Sequence, residues 1–140
     1  MKYILFITGG LIILLFLRRW KKTKQTEQRE ARDWTSWLRE YKKEQKTLDK
    51  QVERNLKGIA LEKKGYIDKA VELYEQNVSE NFDGNHPYDR LAIIYRKRNQ
   101  IDDEIRVLEK AVFVFKNIDR PKLTKFKEKL QKAQKTRLGV

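Results

Sequence analysis

The chain has 140 residues, of which 38% are charged, and its formal net charge of +13 favours an acidic partner without choosing among lipid, nucleic acid and protein. It contains no cysteine, so disulfides, thiolate metal sites and a cysteine nucleophile are excluded. Only six glycines and two prolines interrupt the chain, a composition that predicts an all-α fold rather than a β-sandwich or barrel.

The first predicted element is a membrane anchor over residues 1–20. Residues 3–17 form a run of fifteen without charge, slightly short of the minimum of about 17 apolar residues for a spanning helix. The run is extended if Lys2 and Arg18 snorkel and Trp20 lies at the headgroup level. Because the positive charge follows the run and no small-residue cleavage site is present, we predict an uncleaved anchor rather than a signal peptide.

The charge asymmetry around this anchor predicts its orientation. Residues 18–32 contain seven Lys and Arg, against Lys2 and the α-amino group on the other side. The positive-inside rule therefore predicts a single-pass protein of the cell membrane, with the N-terminus outside and the C-terminal domain cytoplasmic. The side chains that follow the anchor are predicted to contact the membrane surface. They are Arg18, Arg19, Trp20, Lys21, Lys22 and Lys24.

Residues 21–50 are predicted to form a basic juxtamembrane and amphipathic helical linker. No glycine or proline occurs between Leu11 and Lys57, and apolar residues recur there every three or four positions, which is a helical stripe. The pattern fits either one long helix or two. Trp34 and Trp37 in this stripe either pack on the following domain, the preferred interpretation, or pair with another copy of the chain.

An internal repeat with a period of 34 residues follows the linker. Residues 65–74 align with residues 99–108, and the only two prolines, Pro87 and Pro121, are also 34 positions apart. Each proline stands where a helix is predicted to begin, the place at which its missing N–H costs least. A 34-residue period of helix–turn–helix units resembles the tetratricopeptide repeat (TPR) family.

The resemblance implies two TPR-like repeats, residues 51–84 and 85–118, stacked as a short right-handed α-solenoid. In this family a small residue on the first helix lets the second helix pack closely, and Gly58 and Ala92 occupy that position. Two repeats alone bury little surface, so flanking helices are needed as caps. We predict that residues 119–140 form a basic C-terminal capping helix.

The turn between the two helices of each unit also matches the family. Gly65 stands at the turn glycine of the first unit, and Asn99 replaces it in the second. Asparagine also tolerates positive φ, so the same backbone turn is expected in both units. The sequence departs from the family at Asn77 and Glu104, where the family has small residues.

The resemblance further implies a groove on the concave face, lined by the first helix of each unit, that accepts an extended or helical peptide of a protein partner. The chain's own flanking helices are an alternative occupant. One family subgroup clamps a C-terminal carboxylate, but Asn55 replaces its first lysine, so that activity is not transferred here. The predicted groove residues are Asn55, Ile59, Glu62, Lys63, Asp89, Ile93, Arg96 and Lys97.

The C-terminal helix is a second candidate surface. Residues 116–137 contain nine Lys and Arg against two acids. Four of the lysines are expected to share a face opposite the apolar one, interpreted first as a solvated face. Anionic lipid and then nucleic-acid phosphates are the alternatives, and nucleic-acid binding would be non-specific and salt-sensitive. The four are Lys122, Lys125, Lys129 and Lys132.

No catalytic motif is present: the sequence lacks a Gly-rich phosphate loop, a nucleophile elbow, a zinc-protease motif and a calcium loop. His86, the only histidine, lies near Asp83 and Asp89 in a segment interpreted as a turn before a helix. We therefore predict a non-enzymatic protein without metal or cofactor, a membrane-anchored adaptor or scaffold that binds a protein partner. The alternatives are a nucleic-acid or anionic-lipid binder and a self-associating structural subunit.

Overall fold

The computed structural model describes the backbone of residues 2–139 and the side chains of residues 14–139. Throughout this part the chain is helical with short turns and has no strand. The chain divides into two compact units, Met1–Gln45 and Lys46–Val140. The helices are α1 (Lys2–Lys63), α2 (Ile67–Ser79), α3 (His86–Lys97), α4 (Ile101–Phe115) and α5 (Arg120–Leu138).

The linker is helical without a break, because α1 continues to Lys63. The hydroxyls of Thr23 and Thr26 donate to the carbonyls four residues earlier, at 2.8 and 2.7 Å. These side chains therefore accept no hydrogen bond from a backbone N–H that the helix needs. Trp34 and Trp37 keep 59% and 52% of their surface exposed. The hairpins belong to the other unit, so the packing of these two tryptophans on the following domain stays a prediction.

The predicted anchor falls on residues 1–20. The side chains of residues 1–13 lie outside the described part of the chain. Among the helices, as far as the structure describes them, none is both long and apolar enough to cross a membrane.

The 34-residue period of the sequence is repeated in the backbone. Helix α1 ends at Lys63 and α3 ends at Lys97, while α2 begins at Ile67 and α4 begins at Ile101. Both the helix ends and the helix starts are thus shifted by 34 positions. The Lys46–Val140 unit therefore contains two helical hairpins of equal period, followed by α5.

The turn inside each hairpin has the same geometry. Gly65 has a φ of +82° and Asn99 a φ of +58°, so the prediction of left-handed backbone at both positions is confirmed. The N–H of the residue after each donates to the carbonyl five positions earlier, at 3.0 Å in the first hairpin and 2.9 Å in the second. This hydrogen bond is typical of a Schellman helix end, which satisfies carbonyls that the helix leaves unpaired.

The core of the Lys46–Val140 unit lies where α4 packs against α3 and α5, and α2 packs against α3. Its centre is an aromatic cluster of Tyr88, Phe115 and Phe126, all fully buried. The rings of Phe115 and Phe126 stack with their centroids 5.4 Å apart, and Tyr88 meets Phe115 edge-on at 5.6 Å. Helix α5 thus contributes a central core residue, and it covers the second hairpin.

Close packing of α2 on α1 depends on Gly58. A Cβ at this position would lie 2.5 Å from a ring carbon of Tyr74, which is fully buried. The Tyr74 ring is also held at its hydroxyl, which donates to Glu62 at 3.1 Å. The ring therefore has little freedom to move away, and glycine is the residue that this contact allows.

Replacing Gly58 by alanine is expected to lower the free energy of unfolding by about 1–2 kcal/mol, because overpacking costs more than the gain in helix propensity. The second hairpin has Ala92 and Leu108 at the corresponding positions, both buried. Adding Tyr74→Leu to Gly58→Ala should therefore recover part of the loss. Urea unfolding of the single and double variants measures the coupling, and a coupling near zero would contradict the steric explanation.

Candidate binding groove

A shallow cleft of about 380 Å³ lies in the Lys46–Val140 unit, between the end of α1 and the first turns of α3. Ile59, Glu62 and Lys63 line it from α1. His86 and Arg90 line it from α3. The cleft therefore lies between the helices that come first in the two hairpins.

An ion pair between Glu62 of α1 and Arg90 of α3 joins the two sides of this cleft. The Nε of Arg90 is 3.1 Å from each carboxylate oxygen, and its Nη2 donates to the same group. The hydrogen bond from Arg90 is the main reason why the pKa of Glu62 lies below its usual range, and burial acts in the opposite direction. Glu62 is therefore charged at neutral pH, and the pair links α1 to α3.

His86 forms a neutral wall of the cleft. Burial lowers the pKa of His86, and the positive charge of Arg90 lowers it further, so the imidazole is uncharged at neutral pH. Its Nδ1 lies 3.2 Å from Oδ1 of Asn55 and donates to it in the tautomer protonated there. The ring meets Tyr74 edge-on at 5.5 Å. These contacts fix its orientation.

Three of the predicted groove residues, Ile59, Glu62 and Lys63, line the cleft. Asn55 lies next to it through its contact with His86. Ile93 and Lys97 are exposed on α3, with 37% of the Ile93 surface accessible.

Asp89 and Arg96 are directed elsewhere. Asp89 accepts from Lys125 at 2.9 Å and from Lys129 at 2.5 Å, so its carboxylate is bound by α5. Arg96 forms an ion pair with Glu104 of α4. These two predicted groove residues are seven positions apart and share a side of α3 that is turned towards α4 and α5. The prediction that they are available in the groove is corrected accordingly.

Two residues of the cleft, His86 and Arg90, were not among the predicted groove residues. His86 was interpreted as part of a turn, but α3 begins with it. The signal in the sequence was the spacing of His86, Arg90, Ile93 and Lys97, which places them on one face of a helix. His86 and Arg90, at the start of this face, line the cleft.

The basic face of α5 is partly neutralised by carboxylates of the same chain. Lys125 and Lys129 pair with Asp89, and Lys122 pairs with Asp119 at 3.2 Å. Asp119 is also the N-cap of α5, since its side chain accepts from the N–H of Lys122. Part of the predicted basic helix thus attaches α5 to the hairpins.

The position of the lysine face differs from the prediction. The Nζ of Lys122 lies 5.3 Å from the ring centre of Phe115, and that of Lys129 lies 5.9 Å from the ring centre of Phe126. The lysines therefore border the apolar face rather than lying opposite it. The reason is their spacing, since Lys129 follows Phe126 by three positions and such residues are neighbours on a helix. Lys132 is exposed.

The residues predicted to contact the membrane surface belong to the Met1–Gln45 unit. All of them are exposed, and Trp20 has 54% of its surface accessible. This set is Arg18, Arg19, Trp20, Lys21, Lys22 and Lys24.

Acid is expected to destabilise the Lys46–Val140 unit through Asp89. Burial acts to raise the pKa of Asp89, but hydrogen bonds from two lysines and Asn85 outweigh it and hold the pKa below its usual range. A carboxyl group with a lowered pKa stabilises the fold above its unfolded value of about 4, and this contribution is lost as the pH falls through the lower, folded value. Urea unfolding at neutral pH should show that Asp89→Asn is less stable than the parent. The difference in free energy of unfolding between the two should disappear below about pH 4. A difference in stability that is independent of pH would contradict a role for the Asp89 charge.

The fold and the cleft define an all-helical protein built on a repeated helical hairpin. Within the described residues, no group of three or more His, Asp or Glu side chains is arranged to hold a metal ion. Comparisons with family models, curated proteins and solved structures find no match to this chain.

Proposed function

We propose that this chain is a membrane-anchored adaptor whose TPR-like hairpins bind a peptide segment of a partner protein at the cytoplasmic face of the membrane. The observation that carries the proposal is the open cleft between α1 and α3. These are the first helices of the two hairpins, which line the ligand groove in the family that the sequence resembles. The ordered walls of the cleft favour a specific ligand, because little conformational entropy is lost when it binds.

The chemistry of the cleft favours a segment that carries an apolar and an acidic side chain. Ile59 offers a half-buried apolar contact, and Lys63 beside it is exposed and positively charged. Arg90 is already compensated by Glu62, so a ligand carboxylate finds its partner in Lys63. An acidic partner also agrees with the formal net charge of +13.

The membrane anchor is proposed from the sequence. Residues 3–17 are free of charge, and the basic cluster from Arg18 to Lys24 follows them. A tether confines the cleft to the membrane surface and raises its effective concentration towards partners in the same membrane. A short cleft with modest affinity is therefore sufficient for recruitment there.

Site-specific photo-crosslinking in native membranes tests the adaptor proposal. A photoreactive residue at Ile59 should capture a defined protein, and Lys63→Glu should reduce the yield by about threefold or more, since a charge pair becomes a repulsion. Lys64→Glu is the matched control, because Lys64 is exposed, carries the same charge and is not among the residues that line the cleft. Equal yields for the two variants would refute binding in the cleft.

The anchor and its orientation are tested separately. The full chain should remain in the membrane fraction after alkaline extraction, and a C-terminal tag should be protected from protease in right-side-out vesicles. Extraction into the soluble fraction would refute the anchor. Cleavage of the tag in intact vesicles would refute the orientation.

Binding of lipid or nucleic acid through α5 is the less favoured alternative. Its lysines Lys122, Lys125 and Lys129 are engaged with carboxylates of the chain, which lowers the charge available to phosphates. Binding of this kind would weaken steeply with salt, whereas adaptor binding depends on the residues of the cleft.

A further inference from the structure

The Met1–Gln45 unit carries a basic stripe along one side of α1. At 3.6 residues per turn, positions that alternate in steps of four and three share one face of a helix. From residue 18 to residue 43 this face has eight such positions, and none of them is acidic or apolar. Two are the polar residues Gln25 and Ser36, and the other six are basic. These six form the basic stripe: Arg18, Lys22, Arg29, Arg32, Arg39 and Lys43.

The charge of the stripe is available to a ligand. All six side chains are exposed, and within the described part of the chain the four arginines form no ion pair. Arg32 donates to the backbone carbonyl of Gln28 at 3.2 Å, which leaves its charge uncompensated. The basic face of α5 differs, because Lys122, Lys125 and Lys129 pair with carboxylates of the chain. An anionic ligand therefore finds uncompensated arginines on α1.

The composition of the stripe distinguishes between the classes of anionic partner. The core of a protein–protein interface is depleted of charged residues and contains apolar ones. Interfaces with nucleic acid are more polar and much more positively charged. Four of the six stripe residues are arginines, whose planar guanidinium group suits phosphate recognition. The stripe therefore has the composition of a nucleic-acid interface rather than that of a protein interface.

Anionic lipid is the other source of phosphate, and the position of the apolar residues on α1 disfavours it. A helix that lies on a membrane buries its apolar face. On α1 the side chains of Trp34, Leu38 and Tyr41 lie opposite the stripe, so this arrangement would direct the stripe away from the lipid. A helix that instead continues from the proposed anchor along the membrane normal carries Arg39 about 28 Å beyond Trp20. This distance is about three times the Debye length of about 8–10 Å, so headgroups do not account for the far half of the stripe.

We propose that the basic stripe binds the phosphate backbone of a double-stranded nucleic acid. The stripe is about 38 Å long, close to one duplex turn of about 34–36 Å. It has no aromatic side chain on which unpaired bases could stack, so a duplex rather than a single strand is the ligand. Contacts to phosphates alone carry no sequence information, and the binding is therefore non-specific. This inference goes beyond the proposed adaptor function and does not rest on the cleft.

Fluorescence anisotropy with a labelled DNA duplex of about 20 base pairs tests the binding. The full chain, in nanodiscs of neutral phosphatidylcholine, should bind two duplexes of unrelated sequence with affinities that agree within about twofold. With about four phosphate contacts, the logarithm of the affinity should fall against the logarithm of the salt concentration with a slope near −4. A slope near zero, or no binding at about 50 mM salt, would overturn the proposal.

Two matched substitutions test whether the stripe makes the contact. Arg29→Gln should weaken duplex binding by about fivefold at about 0.1 M salt and reduce the salt slope by about one, because one phosphate contact is lost. Lys42→Gln removes the same charge from an exposed position about 140° around the helix from Arg29, and it should change the affinity by less than about twofold. Equal losses would show that the duplex responds only to net charge and would refute the stripe. Unchanged helicity of both variants shows that the chain is still folded.

A nitroxide label separates nucleic acid from lipid as the partner. The chain has no cysteine, so Ser36→Cys places a single label within the stripe. Addition of the duplex should slow the motion of the label in neutral nanodiscs. Nanodiscs that contain anionic phosphatidylglycerol, without duplex, should leave this motion unchanged. Slowing by the anionic lipid alone would assign the stripe to the membrane surface and overturn the proposal.

Competition with polyglutamate tests an acidic protein as the partner. Its charges are about 3.3 Å apart along an extended chain, about half the linear charge density of a duplex. Polyglutamate should therefore displace the labelled duplex at least about tenfold less effectively than unlabelled duplex does at equal total charge. Equal competition would indicate an acidic protein and would contradict the assignment to nucleic acid.

Discussion

Replacing Phe126 by alanine is expected to lower the free energy of unfolding of the Lys46–Val140 unit by about 3–5 kcal/mol. The ring is fully buried, it stacks on Phe115, and its centroid lies 6.1 Å from that of Tyr88. Removing it leaves a cavity between α5 and the second hairpin and breaks two ring contacts. Because a domain of this size is stable by only about 5–15 kcal/mol, the loss should be visible as a large drop in the urea midpoint.

Phe113→Ala is the matched control for this prediction. Phe113 is on α4, close in sequence to Phe115, but 70% of its surface is exposed. The same chemical change there should cost no more than about 0.5 kcal/mol, the usual range for exposed positions. Similar losses for the two variants would show that α5 is not part of the cooperative core.

The second large effect is expected for Arg96→Ala, with a loss of about 2–4 kcal/mol. The side chain of Glu104 is only 3% exposed, and Arg96 is its ion-pair partner. Removing the arginine leaves a buried carboxylate without compensation, which is costly in a protein interior. Arg96 itself is half-exposed, so water reaches the gap and keeps the loss towards the lower end of this range.

A double-mutant cycle separates this effect from a loss of packing. Glu104→Ala removes the buried charge and leaves an arginine that water can solvate, so it should cost less than Arg96→Ala. The double variant should be about as stable as Glu104→Ala alone, which gives a clear coupling energy in urea unfolding. Additive losses would show that the pair does not stabilise the fold. The ion pair with Arg96 also explains how a carboxylate is accommodated at the position where the family that the sequence resembles has a small residue.

The attachment of the capping helix at Asp89 limits the part of α3 that can belong to the cleft. Its carboxylate is held by Lys125 and Lys129, so one side of α3 serves to attach α5. The neighbouring side of α3, with His86 and Arg90, remains for the cleft. The surface left for a ligand is therefore narrower than the eight predicted residues indicated, and it lies towards α1.

The helices and their period could be predicted from the sequence alone. Apolar spacing and the proline at the start of α3 are local properties, so they indicate where helices begin and end. The shift of 34 positions then predicts that the second hairpin repeats the first. The positive φ of Gly65 and Asn99 also followed from the sequence, because few residue types adopt that conformation. The glycine at position 58 likewise predicted the close packing of α2 on α1.

Only the tertiary structure decided where the charged and aromatic side chains are directed. With 38% of the residues charged, each carboxylate has many candidate partners, and the partner is set by which helix lies opposite. Thus Asp89 binds α5 and Glu104 is buried against Arg96, although both look like ordinary surface residues in the sequence. His86 became part of the cleft for the same reason. The sequence placed Trp34 and Trp37 on one helical stripe, and only the structure shows that both side chains are more than half exposed.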